Sequence, residues 1–330
     1  MRRSSLFLPL LLALAGCSNG GHDSPIPSAS AAPAPKKAAS TGDVVPASVT
    51  TTHGECSPGC ASIERCESGK CVPNCPEGEV YIPATGPKGF EMGRGGPGAF
   101  DQKHTVILSH PFCMDATEVT VAAYRKCVDS GKCTIPQLND INSNYREQYH
   151  RDDHPLNMVN FEQSTNYCAT RGQALPTEAQ WEWAAGHGDG RTWPWGSEPD
   201  PTCENEYADF TPGGAPHSDP AGDVGCLGGG TSKVKSHPLG KTTWPNGDLF
   251  DLAGNVWEWT ADCYVPYEKG PVTDPSPQSH PSLHGQCYVR SLRGGGWNRS
   301  KTALKVYWRA ASKKTYRVPG LGFRCVRNPS

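Results

Sequence analysis

"DLFDLAGNVWEWTADC", residues 248–263, is the stretch whose reading decides the fold. Its second half reads as a strand. Side chains alternate faces along a strand, so Trp257 and Trp259 share one face while Val256 and Glu258 share the other. Two indoles on one face call for a core. Upstream, "PTEAQWEWAAGHG" reads as a helix with Thr177 as its N-cap, Ala179, Trp181 and Ala184 at short helical repeats, and Gly186 as its stop. "STNYCATRG" reads as another helix. Earlier still, "VYIPATGPKGFEMG" and "FCMDATEVTVAAYRKCV" read as a strand, a loop, and a strand leading into a helix. Downstream, "RGGGWNRSKTALKVYWR", residues 293–309, opens on three glycines that adopt positive φ without steric cost, which predicts a sharp, close-packed turn. On a strand after that turn, Tyr307 and Arg309 would face opposite to Trp308. Turn-rich stretches separate the other short aromatic segments, and no repeat is evident.

Composition bounds the setting. The net charge of −2 excludes the basic face of a nucleic-acid binder, while 37 glycines, 31 prolines and nine tryptophans describe a loop-rich extracellular fold. The N-terminus, "MRRSSLFLPLLLALAGC", has a basic start and an apolar run too short to span a bilayer, so residues 1–17 read as a signal peptide. Its end, Leu14 to Cys17, resembles a bacterial lipobox, which implies cleavage before Cys17 and lipidation of its sulfur. An ordinary secretory signal ending near a cysteine is the other reading. Acyl chains on Cys17 would make lipid the only membrane contact and place the protein in the bacterial cell envelope, outside the cytoplasm. Residues 18–52, rich in Ala, Pro and Ser, have too little apolar surface to offset their ordering entropy and read as a disordered tether.

Fifteen cysteines less Cys17 leave fourteen, an even number, and in an oxidising compartment disulfides are the default. Cys56, Cys60, Cys66 and Cys71 fall within "CSPGCASIERCESGKC". A module at 53–74 is too small for a core of its own, so crosslinks must hold it. The favoured pairing is crossed, Cys56–Cys66 and Cys60–Cys71, resembling small knottin or EGF-like modules. Zinc on four thiolates is the rival, although the spacing lacks a paired C-x2-C pattern. Residues 75–330 read as one further domain.

Five motifs in that domain, "ALPTEAQWEWAA", "WPWG", "DLFDLAGNVWEWTADC", "RGGGWN" and "GLGFRCVR", come in the order of the formylglycine-generating enzyme family, also called sulfatase-modifying factors. "ATEVTVAAYRKCV" and "HPLNMVNFEQSTNYC" resemble its earlier blocks. The resemblance implies an irregular α+β fold related to the C-type lectin fold and poor in regular structure. It implies a disulfide between Cys168 and Cys325. The simplest pairing of the rest is Cys75–Cys113, Cys127–Cys133, Cys203–Cys226 and Cys263–Cys287. A second family disulfide would need cysteines near Ala185 and Ala310, and both are alanine.

Active members oxidise a sulfatase cysteine to formylglycine with copper held by two cysteines, about two and seven residues after the aromatic of the glycine turn. That aromatic is Trp297 here, and the matching neighbourhoods, Arg299-Ser300 and Leu304-Lys305, hold no cysteine. Copper(I) selects soft thiolates, so no copper is expected. The family's calcium ligands match Asp251, the carbonyls of Gly254 and Val256, and Glu258, a set of hard oxygens coherent with structural calcium. A second calcium site falls in "ENEYADF", with Asn205 as candidate. Trp297, Asn298, Arg299 and Arg309 are expected to line a cleft whose charge is exposed, since buried cations are rare unless paired.

Three readings follow. The first is a lipid-anchored, non-catalytic recognition module binding an envelope protein, peptide or glycan. The second is a sulfatase-modifying or other oxidoreductase with a divergent site, and the third is a structural envelope protein. The missing cysteine pair favours the first. Formal nucleotide motifs are set aside: "GRGGPG" carries Pro97 and precedes no helical pattern, and "LGKTT" has Lys235 where a P-loop needs glycine. In "HRDDH", His150 and His154 read as solvated loop residues because Pro155 follows at once.

Overall fold

The computed structural model describes residues 64–67, 70–73, 75–95, 102–212, 226, 229–276 and 287–328. Cys17, Cys56 and Cys60, the signal peptide and the tether lie outside them. So does the side chain of Cys71.

Strands β1 (Glu64–Glu67) and β2 (Lys70–Pro73) pair as an antiparallel hairpin, and Cys66 within it is disulfide-bonded. The elements that follow are short. They are β3 (Glu79–Ile82), β4 (Phe90–Met92), β5 (His104–Ile107), β6 (Phe112–Asp115), α1 (Val121–Asp129), α2 (Phe161–Thr170) and α3 (Glu178–Gly186). After them come β7 (Thr242–Trp244), β8 (Gly247–Leu249), β9 (Trp257–Cys263), β10 (Val272–Thr273), β11 (Val289–Arg293), β12 (Ala310–Lys313), β13 (Leu321–Gly322) and β14 (Val326–Arg327). The fold is α+β, with few helices and many short strands.

Local chemistry sets the helix starts. Asn160 and Gln163 close a reciprocal capping box on α2, and Thr177 and Gln180 do the same on α3, so each box satisfies two backbone N–H groups. Gly186 is the last helical residue of α3 rather than its stop. His187, left-handed at φ 54°, ends the helix instead. Downstream of the glycine turn, residues 305–309 are irregular, with a turn at 306–307, and β12 begins only at Ala310, so the strand alternation expected for Tyr307–Arg309 is not there.

Two sheets organise the core. One has the order β12-β11-β9-β13 and the other β14-β6-β3. Central β9 is buried along nearly its whole length because a hydrophobic cluster lies on each side of it. Trp257 and Trp259 enter the cluster with Tyr124, Tyr167 and Phe323. The opposite face looks toward Trp181 and the second cluster. Burying each of these rings contributes about 1.5–3 kcal/mol.

Five disulfides staple the domain: Cys75–Cys113, Cys127–Cys133, Cys168–Cys325, Cys203–Cys226 and Cys263–Cys287. All five follow the pairing expected from the sequence. Cys168–Cys325 spans 157 residues and Cys127–Cys133 only 6. Loop-closure entropy scales with the logarithm of that span, which gives about 5 kcal/mol for the long loop and about 2 kcal/mol for the short one. Thermal denaturation of a Cys168→Ser/Cys325→Ser variant should therefore show the larger loss, and of Cys127→Ser/Cys133→Ser the smaller.

Candidate functional site

The glycine turn is as sharp as expected. Gly294 and Gly295 sit at φ 93° and 75°, and a Cβ on Gly295 would lie 2.8 Å from Leu304 Cδ1. The Trp297 N–H donates to Asn255 O at 2.8 Å, and Thr211 Oγ1 donates to Trp297 O at 2.9 Å. Trp297 and Asn298 are buried. Among the described residues the Trp297 indole N–H, Asn298 Oδ1 and Ser300 Oγ take no hydrogen bond. Leu304, in the second copper-cysteine neighbourhood, is fully buried, and Arg299 is half-buried.

Two of the four expected cleft residues line separate cavities. Arg299 lines a groove of about 380 Å³ with the residues of β12. Arg309 faces a different cavity, about 280 Å³, with His104, Glu178 and Tyr267. Nor is its charge exposed. Arg309 is 6 % exposed: its Nε donates to Glu178 Oε2 at 2.9 Å, its Nη2 to Glu178 Oε1, and its Nη1 to Val265 O at 2.9 Å. Arg293, completely buried, donates to Glu178 Oε2 at 2.9 Å and to the Tyr267 hydroxyl at 2.8 Å, and it pairs with Glu182 at 2.8 Å. Glu178 and Glu182 are four apart on α3 and so present both acids on one face. Two carboxylates thus meet two guanidiniums out of water. Burial works against the charge on Glu178, but Arg309 and Arg293 outweigh it and hold the carboxyl below its usual range.

Asp262 makes no ion pair among the described residues. Its Oδ2 accepts the N–H of Glu178 at 2.8 Å, yet burial, followed by the charge of Glu178, pushes its pKa up to about 8.

Around the turn into β9 the carboxylates outnumber the cations. Glu258 is fully buried. Arg324 Nε donates to both of its oxygens, at 2.9 and 2.8 Å, Arg324 Nη2 adds a bond to Oε1 at 2.8 Å, and the Trp181 indole donates to Oε2 at 2.8 Å. Arg324 is the counter-charge of Glu258 in this structure. Glu118 accepts from Asn255 Nδ2 at 2.8 Å and from the Val256 N–H at 3.2 Å. Burial first, then the neighbouring Asp251 and Glu258 charges, raise its pKa well above the ordinary carboxylate value. Asp251 accepts the Lys235 N–H on Oδ2 at 2.7 Å, and burial raises its pKa to about 6. Gly254 has to be glycine: its φ is 87°, and a Cβ would lie 2.1 Å from Asp209 O.

Asn205 is spent on local bonds, accepting the Thr202 N–H and donating to Asp200 O. The acid that matters nearby is Asp209, which the sequence reading missed. It is fully buried between Ala208 and Phe210, accepts from Ser232 Oγ at 2.9 Å, and leaves Oδ1 without a donor among the described residues. Burial raises its pKa to about 6. The available signal was a lone acid inside a short apolar stretch. This excess of buried negative charge fits a hard cation. Among the described residues no three His, Cys, Asp or Glu side chains converge to hold one, so carbonyls such as those of Gly254 and Val256 would have to complete its shell.

The family model described as "Sulfatase-modifying factor enzyme 1-like domain" matches residues 69–329. The chain belongs to the sulfatase-modifying factor family. Within the family, the formylglycine-generating enzyme of Streptomyces coelicolor is 35% identical over 199 residues, covering 54% of each chain. That of Bos taurus is 33% identical over 182 residues, covering 54% of this chain and 45% of the relative. The inactive C-alpha-formylglycine-generating enzyme 2 of Mus musculus is 33% identical over 173 residues, covering 52% and 48%. The chain thus spans about half the length of the curated relatives it matches. Two solved structures share the fold: Treponema denticola variable protein 1, at TM-score 0.53 and 22% identity, covers 76% of this chain and 95% of its own. PvdO from Pseudomonas aeruginosa, also at 0.53, is 21% identical and covers 76% and 94%.

Two outcomes follow from the buried charges of this sulfatase-modifying factor domain. Removing one partner of a buried pair strands the other, so Arg309→Ala should cost about 3–5 kcal/mol, whereas Arg299→Ala should cost about 1 kcal/mol or less in chemical denaturation. Asp262 carries a raised folded pKa, so it binds a proton on folding and its contribution weakens as pH climbs from its unfolded value toward about 8. The melting temperature of Asp262→Asn relative to the parent should therefore be near parity at pH 4 or below and clearly higher at pH 9.

Proposed function

We propose that the chain is a non-catalytic binding module of the sulfatase-modifying factor family. In this reading lipid on Cys17 holds it at the bacterial cell envelope, and it recognises a peptide, a glycan or an envelope protein. One observation carries the reading: all ten described cysteines from Cys75 onward are paired in disulfides. Copper(I) chemistry in this family calls for a thiolate pair, and the two neighbourhoods that would supply it hold Arg299 and buried Leu304. A family that includes inactive members gives such a reading precedent. Identity alone does not separate the two groups, because active and inactive relatives are equally similar.

Structural calcium belongs to the same proposal. Asp251 and the carbonyls of Gly254 and Val256 would hold the ion beside Glu258, and Asp209 is a second anchor in place of Asn205. Calcium would supply charge balance to acids that burial leaves poorly compensated. Chelation should then lower the melting temperature by several degrees, added calcium should restore it, and Asp251→Ala should abolish the response. An identical curve with and without chelator removes calcium from the proposal. Incubation with copper, oxygen and a sulfatase-type cysteine peptide should leave the cysteine unmodified by mass spectrometry. Formylglycine in that peptide would establish the catalytic alternative.

A further inference from the structure

The β11–β12 hairpin ends its sheet, with β12 on the outside. The pairing of Tyr288 with Lys314, whose N–H donates to Tyr288 O at 3.0 Å, sets which backbone groups face inward. In an antiparallel ladder, hydrogen-bonded and non-bonded pairs alternate. Ser312 and Ala310 therefore bond back to β11, while the N–H and C=O of Ala311 and the N–H of Lys313 point away from the sheet. On β11 the same alternation turns Val289 toward β9, and there the Tyr264 N–H donates to Val289 O at 3.0 Å, as it should. Among the described residues no strand covers the outer edge of β12.

A groove of about 380 Å³ is lined by all four residues of β12. Its apolar lining comes from Trp257, Leu292, Val318 and Leu321. Tyr316, 52 % exposed, lines it too, and the hairpin also exposes Tyr288 at 63 %. The charged residues that line it, Arg299 and Lys313, are both basic, and Lys314 follows on the hairpin. Lys313 lies over the Tyr316 ring and Lys314 over the Tyr288 ring, and among the described residues neither pairs with a carboxylate.

We propose that this groove takes an extended, acidic polypeptide segment of a partner, added to the sheet as a strand beside β12. The inference rests on the binding reading above and names its ligand class. Edge backbone groups supply register, the apolar lining takes every second side chain, and alternate acidic side chains meet Arg299 and the lysines. Lysines on an edge also hold off indiscriminate pairing, which makes charge the selector. A second copy of this chain is a poor occupant. Residues 309–317 contain no acid, so pairing β12 with itself sets cations against cations.

The test is fluorescence anisotropy of a labelled peptide of alternating valine and glutamate, against one of valine and lysine, with heparin as a non-peptide anion. The valine–glutamate peptide should bind in a salt-sensitive manner and the valine–lysine peptide should not. Lys313→Glu/Lys314→Glu should weaken binding at least tenfold. Ala311→Pro, which deletes an N–H that faces away from β11, should do the same with an unchanged melting temperature. Should that variant unfold, the parent protein with a peptide N-methylated at alternate residues gives the same readout, because methylation removes the edge bonds from the ligand side. Binding that survives N-methylation, heparin displacing the peptide while binding more tightly itself, dimerisation through β12, or no peptide binding would each overturn the proposal. Formylglycine formation in the assay above would remove the non-catalytic reading without altering these peptide results.

Discussion

Arg324 is the pin on which the domain depends. The segment 321–327 leaves one sheet as β13 and enters another as β14, and Arg324 sits at the crossing with no exposure to solvent. Its guanidinium is divided among Glu258 of β9, the Asp115 carbonyl of β6 and the Phe250 carbonyl. The adjacent Cys325 adds the covalent tie to α2 and donates its N–H to Asp115. Taking an ion pair out of water is expensive, and full hydrogen bonding on both sides is what makes it tolerable. The return is geometric: a planar, multidentate group fixes the angle between two sheets more tightly than aliphatic packing does.

What the sequence discloses about this fold is chiefly local. Thr177 caps α3 because its own hydroxyl reaches three residues ahead, and such a signal survives without any knowledge of the fold. The Trp257/Trp259 alternation on β9 is legible for the same reason. The disulfides are legible through the resemblance to a family and an even count. Ion pairs are another matter. Arg293 and Arg309 find Glu178 across 115 and 131 residues, and Glu258 finds Arg324 across 66. Nothing in the neighbouring residues announces such partners, so a cation-rich run reads as surface when it is core.

The candidate site divides along the same line. The glycine turn around Trp297 is where the motif puts it, because positive φ is a local demand. Within "ENEYADF" burial separates the residues: Asn205 bonds within its own loop, while Asp209 is sealed in the core. Elaborate internal electrostatics and a simple basic outer hairpin thus serve different ends. The inner charges fix the scaffold, while Lys313 and Lys314 on the outer hairpin face solvent.

The strand at the centre of the β14-β6-β3 sheet has a consequence in time. β6 pairs at once with residues 79–82 on one side and 326–327 on the other. Until the latter segment arrives, Glu258 has no counter-charge, Cys168 has no thiol to join, and one edge of β6 lies bare. Contacts of such sequence separation make for slow closure, since the intervening loop must lose its entropy before the contacts repay it. A chain released from its N-terminus would therefore stay unlocked until almost its entire length is free. It would become protease-resistant in one late, concerted step.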